Sequence, residues 1–297
     1  CLGIDLNPIA CLISRVKTAP APRDLEQAAT RVVATARQNR SPAKPAIPHV
    51  DHWFKLDVQQ SVAALVEAIR GEAVAGCREA LSLALSSILV RVSNQDSDTR
   101  YAAVPKTISG PEVFALFLAA FRKVERALQA RDWPLAQAAV LESDSLAVRP
   151  TDLARPVGMV ITSPPYPNAY EYWLYHKYRM WWLGFDPLRV KAREIGARAH
   201  FFERPRHTSA SFWTQMRQVF SLIDAVLVKT GFACFVIGRS VIHGDVVSNA
   251  DILQTLAQER GLQLVARIER VLAPQRKSFN LAHAKIKTES VLVFQKE

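Results

Sequence analysis

The chain has 297 residues, of which 49% are hydrophobic and 22% are charged, a composition typical of a globular protein with a full core. Its formal net charge of +11 favours a polyanionic partner, with nucleic acid first. The sequence contains no run of about eighteen apolar residues, so a membrane span is not expected. Its four scattered cysteines lack C-x-x-C spacing, which predicts reduced thiols in a cytoplasmic protein.

The first predicted element is a short apolar strand from Cys1 to Ile4 that ends at Asp5. Asn7-Pro8 then has the pattern of a helix start, with proline at the first helical position. An acid at the carboxyl end of a parallel strand can accept both hydroxyls of a ribose, whereas the alternative role of Asp5 is to cap the helix. Because a domain seldom begins inside a buried strand, we expect further residues to precede Cys1.

A helical region follows. Residues 18–52 contain Pro20, Pro22, Pro42, Pro45 and Pro48. This pattern predicts an extended linker or surface excursion, with a helix between the prolines. Apolar spacing predicts helices from Asp57 to about Val92 and from Pro111 to about Ala130. We therefore predict a helical insertion at 20–135, inside a domain formed by 1–19 and 136–297.

Strands and helices alternate in the rest of the chain. A strand at 138–143 precedes Asp144, and the apolar run 157–161 is typical of a buried strand. An amphipathic helix at 212–227 leads into a central-type strand at 232–238. A helix at 249–260 and strands at 262–272 and 288–294 come last. The alternation predicts an α/β sandwich around a mostly parallel sheet, with a C-terminal antiparallel hairpin.

The stretch Thr162-Ser163-Pro164-Pro165-Tyr166 follows the buried-type strand. Two prolines fix φ and remove two backbone donors, and Ser163, which precedes a proline, is restricted to an extended conformation. This stiff loop suits an exocyclic amine of a planar base. Ser163 Oγ and the Pro164 carbonyl would accept its two N–H groups and turn the nitrogen lone pair out of the ring plane, while Tyr166 would stack on the base. The alternative is an ordinary proline turn with a packed tyrosine.

Basic and aromatic residues are interleaved between Pro167 and Arg206. This composition suits phosphate contact combined with base stacking. The candidate DNA contacts are Lys177, Arg179, Arg189, Lys191, Arg193 and Arg198, together with Arg276 and Lys277 in the loop of the last hairpin. The alternative for Trp173, Tyr178, Trp181 and Trp182 is the buried face of a helix.

With these motifs in this order, the sequence resembles the S-adenosylmethionine-dependent amino-methyltransferases that act on DNA, especially those that make N4-methylcytosine. Residues 3–8 resemble the family's second cofactor motif, whose acid binds the cofactor ribose. Glu142-Ser143-Asp144 resembles the third, whose acid lies near the adenine amine. Residues 162–166 resemble the catalytic motif, in which serine is typical of cytosine-N4 enzymes. The glycine-rich first cofactor motif is absent, and we expect it upstream of Cys1.

The resemblance implies a Rossmann-like methyltransferase domain at 1–19 and 136–297 that methylates an exocyclic amine of DNA, cytosine N4. The implied catalytic residues are Ser163, Pro164, Pro165 and Tyr166, and the implied cofactor-binding residues are Asp5, Asn7, Pro8, Ser143, Asp144 and Thr162. No metal is needed, and the target base must be flipped out or single-stranded. A restriction-modification or defence partner follows from the same resemblance. Adenine N6, guanine N2 in RNA and a non-catalytic nucleic-acid-binding subunit are the alternatives.

Overall fold

The computed structural model of the chain describes residues 1–98, 102–131, 137–168, 171–204, 206–272 and 288–297. These residues form two compact units. The first contains Cys1–Glu142 and Trp173–Ala192, and the second contains Ser143–Tyr172 and Arg193–Glu297. The boundaries of these units differ from those expected for a helical insertion at 20–135. The division into a catalytic domain and an insertion stays a prediction.

The first unit is mainly helical. Its elements are β1 (Leu2–Asp5), α1 (Pro8–Thr18), α2 (Leu25–Gln38), α3 (Val50–Trp53), α4 (Leu56–Arg70), α5 (Ala75–Val92), α6 (Gly110–Gln129), β2 (Ala139–Glu142), α7 (Tyr172–Leu183) and α8 (Pro187–Arg193). The helices predicted at 57–92 and 111–130 are confirmed as α4 with α5 and as α6. The helix expected among the prolines of 18–52 is α2. Strands β1 and β2 pair in parallel, so that Asp5 and Glu142 are in register at their carboxyl ends.

One apolar core holds the helices of the first unit together. Its largest fully buried side chains include Phe54, Leu65, Leu81, Leu85, Phe117 and Trp182. Burial of each such side chain contributes about 1.5–3 kcal/mol. Local signals set where the helices begin: at the start of α6, the Ser109 N–H donates to Glu112 Oε2 at 2.8 Å, which forms a capping box.

The second unit contains the larger sheet. Its elements are β3 (Val157–Thr162), α9 (Ser209–Val226), β4 (Leu227–Gly238), β5 (Ser240–Ile242), β6 (Asp245–Val247), α10 (Asn249–Gln258), β7 (Leu262–Val271) and β8 (Thr288–Lys296), with short 3₁₀ turns at Pro150–Asp152 and Arg198–Phe201. The strand order is β3-β4-β8-β7. Strand β3 is parallel to β4, and β8 is antiparallel to both β4 and β7. Three of these four strands therefore run in one direction.

This architecture confirms the predicted α/β class with a C-terminal antiparallel hairpin, which is β7–β8. Helices α9 and α10 share one core with the sheet residues Phe235, Leu292 and Phe294. The prediction that the strand at 157–161 is buried is wrong for one of its faces, because Met159 and Ile161 are 55% and 74% exposed. These two residues are in register with Phe232 and Cys234. They therefore lie on the face opposite to Phe235, and β3 is one of the two outer strands of the sheet.

Within the described ranges, no helix is both long enough and apolar enough to cross a bilayer.

Candidate functional site

The proline loop, residues 163–167, begins where β3 ends, beside the last residues of β4. Parallel strands bring their carboxyl ends to one edge of a sheet, which is where open α/β sheets hold their ligands. Within this loop Ser163 is exposed, while Pro164 and Tyr166 are buried. The loop therefore exposes Ser163 while the neighbouring Pro164 and Tyr166 are packed into the protein.

The Ser163 hydroxyl has a defined direction. Its Oγ donates to the Val236 carbonyl oxygen of β4 at 3.1 Å. A serine hydroxyl has one hydrogen and two lone pairs. That hydrogen is used within the protein, by the Val236 carbonyl or by the Tyr166 phenol, with which Ser163 also interacts. The lone pairs of Ser163 Oγ are therefore available to accept hydrogen bonds from a ligand.

Tyr166 connects the proline loop to the core of the second unit. Its side chain is buried, with a relative solvent exposure of 7%, and its ring belongs to the core of the second unit. Its hydroxyl donates to Glu289 Oε1 of β8 at 2.7 Å. Burial, and then the hydrogen bond and negative charge of Glu289, raise the pKa of Tyr166. The predicted stacking of Tyr166 on a base is corrected here, because a ring packed into the core has no free face to offer.

Two further contacts fix the end of the loop. The Asn168 N–H donates to the Gly196 carbonyl at 3.0 Å, and Asn168 Nδ2 donates to the Val241 carbonyl at 2.7 Å. Gly196 has a φ of 69°, and a Cβ there would lie 3.1 Å from Pro167 Cα. Gly196 is therefore required both by its backbone conformation and by its close approach to the loop.

Asp5, Asn7 and Pro8 form a tight turn in the first unit. Asp5 Oδ1 accepts from the Asn7 N–H at 2.7 Å, and Asn7 Oδ1 accepts from the Ile9 N–H at 2.9 Å. The residue that caps α1 is therefore Asn7, with Pro8 in the first turn, and the alternative role of Asp5 as the cap is not observed.

The electrostatics of this turn favour neutral side chains. Desolvation by surrounding protein atoms raises the pKa of Asp5, against the opposing backbone hydrogen bonds from Asn7 and Leu6, although the residue is exposed by surface area. Burial, together with the charges of Asp5 and Glu142, raises the pKa of Cys11 to about 11. An ionised carboxylate has about four lone-pair sites, so Asp5 keeps acceptor capacity for a hydroxyl donor beyond the N–H groups of Asn7 and Leu6.

Ser143 and Asp144 lie in the second unit, as does Thr162, whereas Asp5, Asn7 and Pro8 lie in the first. Asp144 is half-buried, and its Oδ1 accepts from the Leu146 N–H at 2.9 Å. This is an Asx turn of the kind that also fixes Asp5. The predicted cofactor residues are thus distributed over the two units.

The candidate DNA contacts have unequal surroundings. Arg189, Arg193 and Arg198 are exposed. Lys177 and Lys191 are half-buried, with Lys177 Nζ 5.1 Å from the Tyr178 ring centroid and Lys191 Nζ 5.4 Å from that of Trp173. Arg276 and Lys277 lie outside the described residues.

Arg179 does not fit a DNA contact. Its side chain is 9% exposed, its Nε donates to the Ser86 carbonyl at 3.0 Å, and its guanidinium pairs with Asp98. These contacts make it a structural arginine of the first unit. The alternative for the tryptophans also holds for Trp173 and Trp182, which are buried.

Glu289 and Gly196 are loop supports that the sequence patterns do not reveal. A carboxylate beside the apolar run of the last strand is the available signal for Glu289, and nothing in the sequence connects either residue with the proline loop. Across the described residues, no cluster of three or more histidine, cysteine, aspartate or glutamate side chains has a geometry suited to a metal ion.

Comparisons with known proteins give a partial likeness. No family model matches the chain, and no curated protein matches it. A candidate DNA modification methylase from Thermus thermophilus aligns at 18% identity with a TM-score of 0.31, over 52% of this chain and 50% of the methylase. In its complex with S-adenosyl-L-methionine, that protein aligns at 16% identity with a TM-score of 0.32, over 52% and 51%.

The N-methyltransferase NodS from Bradyrhizobium japonicum, in complex with S-adenosyl-L-homocysteine, aligns at 12% identity with a TM-score of 0.30, over 61% of this chain and 62% of NodS. The match covers about half the length of the Thermus protein. Scores of this size do not establish a common function, so the function has to be argued from the residues of the chain.

Proposed function

We propose that the protein is an S-adenosylmethionine-dependent methyltransferase that methylates an exocyclic amine of a DNA base, with cytosine N4 as the target. One observation carries this proposal. Ser163 is exposed on a double-proline loop at the carboxyl end of β3, and its hydroxyl hydrogen is used within the protein, by the Val236 carbonyl or the Tyr166 phenol. The loop therefore offers an acceptor rather than a donor.

An acceptor is what an exocyclic amine needs. The amine has two N–H groups in the plane of the base, and its lone pair is delocalised into the ring. If Ser163 Oγ and the Pro164 carbonyl accept those two hydrogens, the nitrogen is drawn towards a tetrahedral geometry and its lone pair becomes available for attack. Pro165 limits the movement of the loop, because its φ is fixed.

The residues around Asp5 fit a methyl donor that carries a ribose. Asp5 ends β1, and its carboxylate keeps lone-pair sites for hydroxyl donors beyond the N–H groups of Asn7 and Leu6. Asn7 and Pro8 hold the turn, and Ser143, Asp144 and Thr162 are the further donor contacts proposed from the sequence motifs. Bound S-adenosylmethionine would supply an electrophilic methyl group. The target nitrogen becomes acidic only as it gains that group, so its proton can leave to water and Ser163 need not act as a base.

DNA is the proposed polyanionic substrate. The net charge of +11 supports attraction to phosphates. Exposed Arg189, Arg193 and Arg198 are the proposed backbone contacts, supported by Lys177 and Lys191. The amine of a paired base points into the duplex, so the base must be flipped out or already single-stranded. A partner in a restriction-modification or defence system belongs to the same proposal.

The test is transfer of a labelled methyl group. Full-length protein is incubated with methyl-labelled S-adenosylmethionine and either duplex DNA, single-stranded DNA or RNA, and the nucleosides are then separated. We expect the label in N4-methylcytosine. Label in N6-methyladenine or N2-methylguanine would keep the methyltransferase and change the target. Nucleic-acid binding without label in any nucleoside would refute the enzyme and support a non-catalytic subunit.

A further inference from the structure

A connected set of side chains runs from the proline loop to the last two strands. The Ser163 hydroxyl and the Tyr166 phenol interact, which opposes part of the rise in the pKa of Tyr166. The Tyr166 hydroxyl donates to Glu289 Oε1 at 2.7 Å, and Glu289 Oε2 pairs with the Arg270 guanidinium. We call Tyr166, Glu289 and Arg270 the Tyr166 anchor.

Glu289 is well suited to hold its position. It lies on β8, between β4 and β7, in register with Gly238 on one side and Arg270 on the other. Its side chain is 12% exposed, whereas that of Arg270 is 57% exposed. A largely buried carboxylate on an inner strand, paired with a cation, has little freedom to move.

The anchor matters because the phenol is buried. If Glu289 no longer accepted its hydrogen, the Tyr166 hydroxyl would be a buried donor without its partner on β8. Leaving a buried donor unsatisfied is more costly than never forming the bond. The loop would then shift towards solvent to hydrate the phenol, and Ser163, three residues before Tyr166, would move with it.

We propose that Glu289 is a positioning residue for the candidate active site. It acts through Tyr166 to keep the proline loop in the conformation that directs Ser163 Oγ at the target amine. The inference rests on the proposed function for its catalytic consequence, while the anchoring itself is a property of the second unit alone. Glu289 touches neither base nor donor in this proposal.

The kinetic test compares Tyr166→Phe, Glu289→Ala and the double variant in the full-length protein. Glu289→Ala leaves the buried phenol without its charged acceptor, so kcat should fall about 10-fold or more, with KM for the donor unchanged. Tyr166→Phe loses the same hydrogen bond but has no phenol to hydrate, so its kcat should fall by a smaller factor. The double variant should be no slower than the slower single variant, since both remove the same contact. Additive losses, or a wild-type kcat for Glu289→Ala, would overturn the proposal.

Two further variants separate positioning from general destabilisation. Glu289→Gln keeps an oxygen that accepts from Tyr166, and it should recover most of the lost kcat. If it is as slow as Glu289→Ala, the anchoring role is refuted. Glu259→Ala is the matched control, because Glu259 pairs with Arg217 at 3.1 Å in the same unit. It should lower the melting temperature slightly and leave kcat as in the wild type.

Hydrogen exchange tests the anchor without any activity. The Asn168 amide donates to the Gly196 carbonyl and reports on the loop. In Glu289→Ala its exchange should be about 10-fold faster than in the wild type. In Tyr166→Phe, which loses the hydrogen bond but has no phenol to hydrate, exchange should be faster by a smaller factor. Unchanged exchange in both variants would overturn the inference, and Tyr166→Phe carries this test if Glu289→Ala does not fold. Faster exchange in a protein whose wild type methylates no nucleic acid would uphold the anchor and refute the proposed function instead.

Discussion

Two strand ends carry the candidate site residues, and they are held in opposite ways. The turn after β1 is closed by contacts between residues two apart in sequence, Asp5 with Asn7 and Asn7 with Ile9. The loop after β3 is held by partners 73 and 123 residues away, Val236 and Glu289. One strand end is a local structure, and the other exists only when the sheet is complete.

This difference teaches which changes each strand end should tolerate. A local turn keeps its shape whenever its own residues are intact, because its hydrogen bonds need no distant partner. A loop held by β4 and β8 loses its shape with any loss of sheet pairing, and it opens as part of a larger cooperative unit. Donor binding through Asp5 and amine binding through Ser163 should therefore respond independently to mutation.

The largest expected effect is on the rate of methyl transfer, and it comes from a change in the loop after β3. Ser163→Ala removes the hydroxyl that is proposed to hold the target amine in the transition state, so the rate of methyl transfer should fall by roughly 10²-fold or more. Donor affinity, measured by calorimetry, should stay close to the wild-type value. Ser221→Ala is the control, since Ser221 Oγ donates to the Arg217 carbonyl at 2.9 Å on α9. Methylation at the wild-type rate in Ser163→Ala would refute the role given to this hydroxyl.

The converse change is Asp5→Asn. The amide oxygen can still accept from the Asn7 N–H, so the turn is kept, but the second carboxylate oxygen becomes a donor that opposes the ribose hydroxyls. Hydrogen bonds to a charged group contribute about 1.5–3 kcal/mol, so the donor Kd should rise about 10- to 100-fold. Calorimetric titration with S-adenosylmethionine measures this, and an unchanged Kd would remove Asp5 from the donor site.

A glycine pair sharpens the comparison through stability. Gly196 and Gly261 both have φ of 69°, but only Gly196 approaches another segment, the proline loop. Alanine at either position adds left-handed strain of about 1–2 kcal/mol. Gly196→Ala should lose about 1 kcal/mol more, because its Cβ meets Pro167. Urea unfolding measures both variants, and equal losses would show that the contact with the loop does not support it.

The smallest expected effect is a pH dependence confined to the local turn. The pKa of Asp5 is raised above its ordinary value of 3.8, so between these two pKa values the folded chain holds more protons than the unfolded chain. The free energy of unfolding should therefore decrease as pH rises through that window. Donor affinity should increase over the same window, since it needs the carboxylate.

Asp5→Asn provides the reference for this prediction. This variant should lack the pH dependence of both the free energy of unfolding and the donor affinity that is assigned to Asp5 in the wild type. Thermal melting and calorimetry from about pH 4 upwards, where the Asp5 carboxyl with its raised pKa titrates, measure the two quantities. If wild type and variant show parallel profiles, the titration belongs to other groups.

The contrast between the strand ends also explains what can be predicted from the sequence. Asn7-Pro8 predicts the start of α1 because capping is a contact between near neighbours. Pro164-Pro165 predicts a stiff loop for the same reason, since proline restricts its own φ and the preceding residue. Helix and strand periodicity predicts the α/β class because one buried face imposes a regular spacing.

Contacts between distant segments lie beyond that reasoning. Glu289 and Gly196 support the loop only because the sheet order and a crossing segment bring them to it. The same limit accounts for two wrong predictions. Tyr166 is predicted to stack on a base although its ring is buried, and Ile161 is predicted to lie in the core although β3 is an outer strand. An aromatic or apolar side chain has the same appearance in sequence whether it meets a ligand, the core or solvent.

The position of β8 in the sheet has a consequence for biosynthesis. Strands β4 and β7 leave the ribosome before β8, yet neither pairs with the other, because β8 lies between them. A nascent chain that ends before Thr288 therefore lacks the partner of the two strand edges that β8 covers in the complete sheet, and unpaired edges are prone to join edges on other chains. Translation of a few more residues supplies the partner of both edges, and with it the carboxylate that Tyr166 requires. Stalled or truncated products should consequently be substrates for chaperones rather than proteins with partial function.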